Sequence, residues 1–315
     1  MRRGFHQLVD DDNRRVSNGF LVVVADTAAI SVSMLWPQGL DSDCVDFSFI
    51  TDAQGEFISG GLTGIVELLG DDTVLKSPFP DAEMENHILD IGKEASIYHR
   101  LGPHDRLVRI LGHSRDGLIL EYMKNGDLKT YLRTQSSVST SQKLNWAYQI
   151  AQAVSLLHKN GILHCDIKPR NFLLDANFNI KIIDISGSSL DGSKPTSSEG
   201  TRFYLPRYWR EPPTLATALF ALGSTLYEVF RGTSPYEDIS SDQVEELYKK
   251  KEFPNVSVIP CGEIIKKCWL SEVDSAQHVQ AFIREFLSKP NAVCIPHLDG
   301  LEIAQDMPID QVGST

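Results

Sequence analysis

The rhythm of apolar and polar positions changes near residue 124. From Phe57 to Leu132 short apolar runs alternate with turns: Phe57-Ile58, Ile65 to Leu69, Thr73 to Lys76, Leu107 to Leu111 and Leu118 to Tyr122 read as strands, with turns at Asp71-Asp72 and Ser114 to Gly117. One segment breaks the series. Glu83 to Leu101 places Ile88, Ile91, Ala95 and Tyr98 close to a 3.6-residue period and stops at Gly102-Pro103, which predicts a helix. After Asn125-Gly126 the period is helical. Ser141 to Lys159 puts Leu144, Ala147, Ile150, Ala151, Val154 and Leu157 on one stripe, with Gly161 as a stop. Leu215 to Arg231 is apolar almost throughout, as a buried helix would be, and Val244 to Lys250, Glu263 to Trp269 and Ala276 to Leu287 predict three more. The expected class is α+β: a β-rich first lobe (53–123) with one main helix, and a helical second lobe (124–289).

The ends are less informative. Residues 1–52 show no motif; Val22 to Val24 and Phe47 to Ile50 are candidate strands, and an added β element and a partner-binding arm both stay open. Phe20 to Trp36 is the one stretch that suggests a membrane segment. Asp26 near its middle, Asp10-Asp11-Asp12 upstream and no clear cleavage site favour core strands instead, so no membrane partner is expected. The tail, 290–315, reads as flexible.

Composition narrows the class. At 315 residues, 42% apolar and 23% charged, the chain has room for two lobes and an ordinary core. A net charge of −12 argues against nucleic acid as a partner, since phosphate backbones need basic surface. The cysteines, Cys44, Cys165, Cys261, Cys268 and Cys294, are odd in number and none are in C-x-x-C spacing; the expectation is a reducing, intracellular setting, cytoplasmic or nuclear.

Candidate chemistry concentrates in His164-Cys165-Asp166-Ile167-Lys168-Pro169-Arg170-Asn171. A carboxylate at 166 can accept a hydroxyl proton, an ammonium two residues on can neutralise a phosphate oxygen, and an amide oxygen at 171 can hold Mg²⁺. Asp184 follows the apolar run Ile180 to Ile183 and supplies a second metal ligand at a strand mouth. Upstream, Ser59-Gly60-Gly61-Leu62-Thr63-Gly64 joins two strands; alone it fits a plain hairpin as well as a phosphate loop. Lys76 ends a strand twelve residues after Gly64, and Glu94 sits eighteen residues further, midway along the helix. Their joint spacing favours a phosphate-binding lysine held by an acid over two solvated charges.

Together these residues resemble the eukaryotic protein kinase superfamily from about Phe57 to Leu287, with a nearer likeness to the small kinase-like proteins of filamentous fungi. The resemblance implies a two-lobed kinase-like fold, ATP and Mg²⁺ as cofactors, and a protein substrate with serine or threonine, since Lys168-Pro169 is similar to the serine/threonine branch. It implies Asp166, Lys168 and Asn171 as catalytic, with Asn171 and Asp184 on the metal. It places Gly61, Gly64, Lys76 and Glu94 at the phosphates, backbone groups of Glu121 and Met123 at the adenine edge, Val66 and Leu173 on its faces, Asp127 near the ribose and Leu120 at the back pocket.

Several positions depart from the family pattern: Ser59 for a glycine, Val74 for the alanine above adenine, Cys165 for the arginine of H-R-D, Ile185-Ser186 in D-F-G, and Ala218 for an aspartate that bonds the catalytic loop. Thr217 could take over the last role, and Glu211 the acidic role of the missing A-P-E. A thiol at 165 cannot bind a phosphorylated activation segment, so activity is expected not to require phosphorylation at Ser197, Ser198 or Thr201. Two readings follow: an active serine/threonine-type kinase, or a pseudokinase serving as a nucleotide-binding or scaffolding module with scaffold partners. A small-molecule kinase is a third.

Overall fold

A computed structural model describes residues 55–288, apart from 62, 63, 71, 115 and 209, together with two strands nearer the N-terminus. Those are β1 (Leu21–Asp26) and β2 (Ala29–Met34), paired antiparallel, and they occupy the apolar stretch that includes Val22 to Val24. The candidate strand at Phe47 to Ile50, the rest of the extension and the tail from 289 onward lie outside the described residues.

The first lobe is a five-stranded antiparallel sheet, in spatial order β3 (Glu56–Gly60), β4 (Gly64–Gly70), β5 (Thr73–Pro78), β7 (Gly117–Glu121) and β6 (Ile110–Ser114). Helix α1 (Met84–Leu101) packs on it through Ile91, Ala95, Ile97 and Tyr98, near the period read from sequence. Val74, Leu75 and Lys76 are all buried in β5, because this central strand is covered on both faces.

The second lobe is helical: α2 (Leu128–Thr134), α3 (Thr140–Lys159), α4 (Leu215–Arg231), α5 (Ser241–Lys249), α6 (Gly262–Trp269) and α7 (Ala276–Ser288). Thirteen residues of α4, from Thr217 to Val229, are buried, which makes it the central helix that its apolar sequence predicts. Two short antiparallel pairs, β8 (Ile162–Leu163) with β11 (Ser189–Leu190) and β9 (Phe172–Leu174) with β10 (Ile180–Ile182), frame the loops at the lobe junction.

One strand boundary differs from expectation. Leu107 to Leu111 reads as a strand, yet β6 starts at Ile110. Leu107 instead bridges in parallel to Ile182 of the second lobe. The Ile182 amide donates to Arg106 O at 2.8 Å and Lys181 Nζ to Leu107 O at 3.0 Å. Leu107 and Val108 are apolar because they join the two lobes, a contact that alternation along one strand cannot encode.

Candidate active site

Lys76 on β5 and Glu94 on α1 meet in the core. Lys76 Nζ lies 2.7 Å from Glu94 Oε2 and 3.2 Å from Asp184 Oδ1. Glu94 falls on the core-facing stripe of α1 beside Ile91 and Tyr98, so the periodicity that docks the helix also delivers its carboxylate. Burial opposes the Lys76 charge, but Glu94 and Asp184 outweigh it and hold the ammonium above its ordinary value. Burial likewise opposes the Asp184 charge, and Lys76, His164 and Lys168 nevertheless hold its carboxyl below the usual carboxylate range. Asp184 has a left-handed φ of 59°.

The loop after β8 assembles the second group. Lys168 Nζ is 2.8 Å from Asp166 Oδ2. Asn171 Nδ2 donates to Asp166 O at 2.7 Å and to Asp166 Oδ2 at 3.1 Å, which orients the amide and turns its oxygen away from these acceptors. Proline at 169 opens a 3-10 turn, Pro169–Asn171, that brings residues 166 and 171 back onto each other. His164 Nε2 bonds Ile183 O at 2.9 Å, and the Ile183 amide donates to Asn171 O at 3.1 Å. These two bonds fasten the loop to Ile183, between β10 and Asp184. The chain therefore gathers three carboxylates, two ammonium groups and an oriented amide at the lobe junction. Such a set can receive a proton, neutralise phosphate oxygens and ligate a hard cation through oxygen.

Apolar residues border the same junction. Val66 pairs with Lys76 across β4 and β5, and Val74 with Leu120 across β5 and β7. Asp127 forms a bridge with Leu173. Among the described residues the Met123 amide has no hydrogen-bond partner, while its carbonyl accepts from Gly126. The Glu121 amide bonds Arg109 O, and its side chain meets Lys181 at 3.2 Å. Asp127 caps α2, accepting from the Thr130 amide at 2.9 Å and its hydroxyl at 2.8 Å. Gly61 N donates to Gly64 O at 2.9 Å and closes the turn whose tip, Leu62 and Thr63, lies outside the described residues. A Cβ at Gly64 would come within 2.5 Å of Ser77 O, so pairing within the sheet already demands this glycine.

Departures from the family pattern acquire physical settings. Ile185 is fully buried in the core, and Cys165 is buried with a left-handed φ of 64°. Thr217 does not substitute for the aspartate lost at 218: its hydroxyl is committed to the capping box at the start of α4 with Thr214. The support from α4 comes one helical stretch later, where Thr225 Oγ1 donates to Ile167 O at 3.2 Å and Ala221 O at 2.9 Å. Glu211 is exposed and takes no buried acidic role; Glu199 does, 2.9 Å from Arg207 Nη2. Sequence reasoning missed Thr225, Glu199 and Lys93, whose ammonium bonds Ser188 O. No motif marks them: Thr225 and Lys93 act on partners far away in sequence, and Glu199 on a loop residue at no regular spacing; only the burial expected of α4 pointed toward Thr225.

Comparison with known proteins identifies the family. The family model described as protein kinase domain matches residues 70–292. The chain is 36% identical over 167 residues, 50% of its length, to the serine/threonine-protein kinase RUNKEL of Arabidopsis thaliana, of which it covers 12%. It is 33% identical over 175 residues to an Aurora kinase of Schizosaccharomyces pombe, covering 53% of this chain and 48% of that one. It is also 35% identical over 138 residues to the discoidin domain-containing receptor tyrosine kinase B of Caenorhabditis elegans, covering 41% of this chain and 17% of the relative. The chain thus spans less than half the length of these relatives, and they include both serine/threonine and tyrosine kinases.

Proposed function

Because this chain belongs to the protein kinase family, we propose that it transfers the γ-phosphate of ATP, with Mg²⁺, to serine or threonine hydroxyls of protein substrates. Residues 53–289 form the catalytic domain in this reading, with 1–52 as an extension and 290–315 as a tail. The observation that carries it is the convergence of Glu94, Lys76 and Asp184 with Asp166, Lys168 and Asn171 at one junction.

The residues fit the group they would hold. The Met123 amide is without a partner among the described residues and suits an adenine nitrogen. Asn171 has its nitrogen engaged and its oxygen available, and Asp184 keeps a charged carboxylate, 31% exposed, for a cation. Bound Mg-ATP would supply the electrophilic γ-phosphorus, with ADP as the leaving group. Val66 and Leu173 enclose the base, and Asp127 borders the ribose. Gly61 and Gly64 shape the turn over the phosphates, and Lys76, fixed by Glu94, binds them. Asp166 orients the substrate hydroxyl and accepts its proton, while Lys168 offsets charge on the transferring oxygens. Proline after Lys168 supports serine and threonine over tyrosine.

Radiolabel transfer from Mg-ATP to a basic protein tests the reading. Asp166→Asn should lower kcat by about 10²–10⁴-fold, and Lys76→Met should abolish transfer. A specific observation favours the scaffolding alternative: Val74, 7% exposed, adds bulk over the adenine position. Absence of transfer by folded wild-type protein would make that alternative the better account.

A further inference from the structure

The segment from Ile185 to Tyr208 follows Asp184 and is held at several points. The amides of Thr196 and Ser197 donate to Gly187 O at 3.1 and 3.2 Å. A Cβ on Gly187 would overlap the Ser197 hydroxyl, so the segment folds closely back on itself there. Arg202 bonds the carbonyls of Tyr236 and Ile239 beyond α4. Between these anchors lies a buried ion pair. Arg207 Nη2 is 2.9 Å from Glu199 Oε2, with side chains 12% and 1% exposed. The Arg207 guanidinium also lies 4.2 Å from the Tyr204 ring centroid, and the Tyr204 hydroxyl donates to Arg207 O.

The start of the same segment meets the strand that leads into the catalytic loop, where Ser189 of β11 pairs with Leu163 of β8. Cys165, the residue before Asp166, has its thiol pushed up to about 12, first by burial; Glu199 raises it further and Arg207 lowers it, so both charges reach this position. A neutral thiol cannot balance a carboxylate. The second Glu199 oxygen is buried without a hydrogen-bond partner among the described residues, which leaves Arg207 as the one ion-pair partner of that carboxylate among them. Removing either member would leave an uncompensated charge buried within the segment.

We propose that Glu199 and Arg207 form a built-in latch that closes the activation segment on itself, so that the segment is ordered without a phosphate on it. The negative charge and the cation that would otherwise require a modification are both written into the sequence, eight positions apart. Both are positioning residues. Their effect on turnover rests on the phosphotransfer reading; the ordering itself does not.

The test is amide hydrogen exchange across residues 196–208 of the full chain after phosphatase treatment, run beside peptide and ATP kinetics. Wild type should be protected, and Arg207→Met should exchange about tenfold faster or more in this stretch alone. Arg207→Lys, which keeps the charge, should stay within about threefold of wild type. Glu199→Gln combined with Arg207→Met should be no worse than Arg207→Met, because no charge is then left unpaired. In kinetics, Arg207→Met should cut kcat/KM for peptide by about ten- to a hundredfold with ATP affinity retained, and Arg207→Lys should recover it. If Arg207→Met does not fold, Glu199→Gln carries the comparison. Protection that is lost on phosphatase treatment, or that is the same in every variant, overturns the latch. Protection that follows the pair in a protein without transfer overturns the phosphotransfer reading and leaves the latch standing.

Discussion

His158 ends α3 with both ring nitrogens buried and without hydrogen-bond partners among the described residues. Burial, aided by nearby His164, lowers its pKa from 6.5 to about 4. The unfolded chain therefore takes up a proton near pH 6.5 that the folded chain refuses until about pH 4. Stability is unaffected above that window and falls as pH drops through it, by up to about 3 kcal/mol. His158→Phe, which removes two unsatisfied nitrogens and keeps a ring, should flatten this acid loss while changing stability little at pH 7.5. Urea midpoints of both proteins at pH 7.5, 5.5 and 4.5 check it; parallel curves would refute it. Thiols give a second prediction at this scale. Cys165, Cys261 and Cys268 are each buried and pushed up to about 12 by burial, so thiolate is scarce at neutral pH. Peptide mapping after iodoacetamide at pH 7.5 should find these three unlabelled in folded protein and labelled in urea. Rapid labelling of Cys165 in the folded state would instead make it a redox-accessible group.

Between elements, α4 crosses α6 at a close joint. A Cβ on Gly223 would lie 2.7 Å from Cys268 Cβ and 3.2 Å from Ile265 O, both parts of a packed helix with little room to yield. Nearby, Trp269 Nε1 donates to Ser224 Oγ at 2.9 Å, which fixes the register of the two helices. Gly223→Ala gains helix propensity but forces the helices apart, and overpacking of this kind costs about 1–3 kcal/mol. Thermal or urea unfolding should show a net loss; equal or greater stability would mean that α6 can shift freely. This joint also shows what was legible in the sequence. The apolar content of Leu215 to Arg231 identified a buried helix, and 3.6-residue spacing found α1, α3 and α7 within a residue or two. Motif spacing likewise brought Lys76, Glu94, Asp166, Lys168, Asn171 and Asp184 to one place, because local turns and strand ends carry most of that geometry. The short α2 was not delimited, since seven residues give too few turns for a period. The detour of Leu107 to the second lobe, the hydroxyl of Thr225 and the Glu199–Arg207 pair were illegible because each depends on a partner that sequence does not name.

On the scale of the whole molecule, the two lobes are joined by Leu107 with Ile182, by Lys76 with Asp184, and through the chain between Glu121 and Leu128. The candidate nucleotide site is divided across that joint: Val66, Lys76 and Glu94 belong to the first lobe, and Asp127, Asn171, Leu173 and Asp184 to the second. A ligand that touches both sides adds a connection that either lobe alone lacks, so saturation should raise the stability of the whole chain as one unit. At a nucleotide concentration a hundred times its Kd the gain is about 2.7 kcal/mol, a shift of about 5–11 °C for a domain of this size. Lys76→Met should lose most of this shift, measured against its own unfolding temperature without nucleotide. Asp184→Asn should retain the response to ATP alone and lose the increment that Mg²⁺ adds, because its carboxylate is the charged oxygen donor on the cleft side. Thermal unfolding with ATP in EDTA and with ATP in excess Mg²⁺ separates the two contributions. An unchanged unfolding temperature for wild type under both conditions would mean that Val74 has closed the adenine position, and the lobes would then be held together by the protein contacts alone.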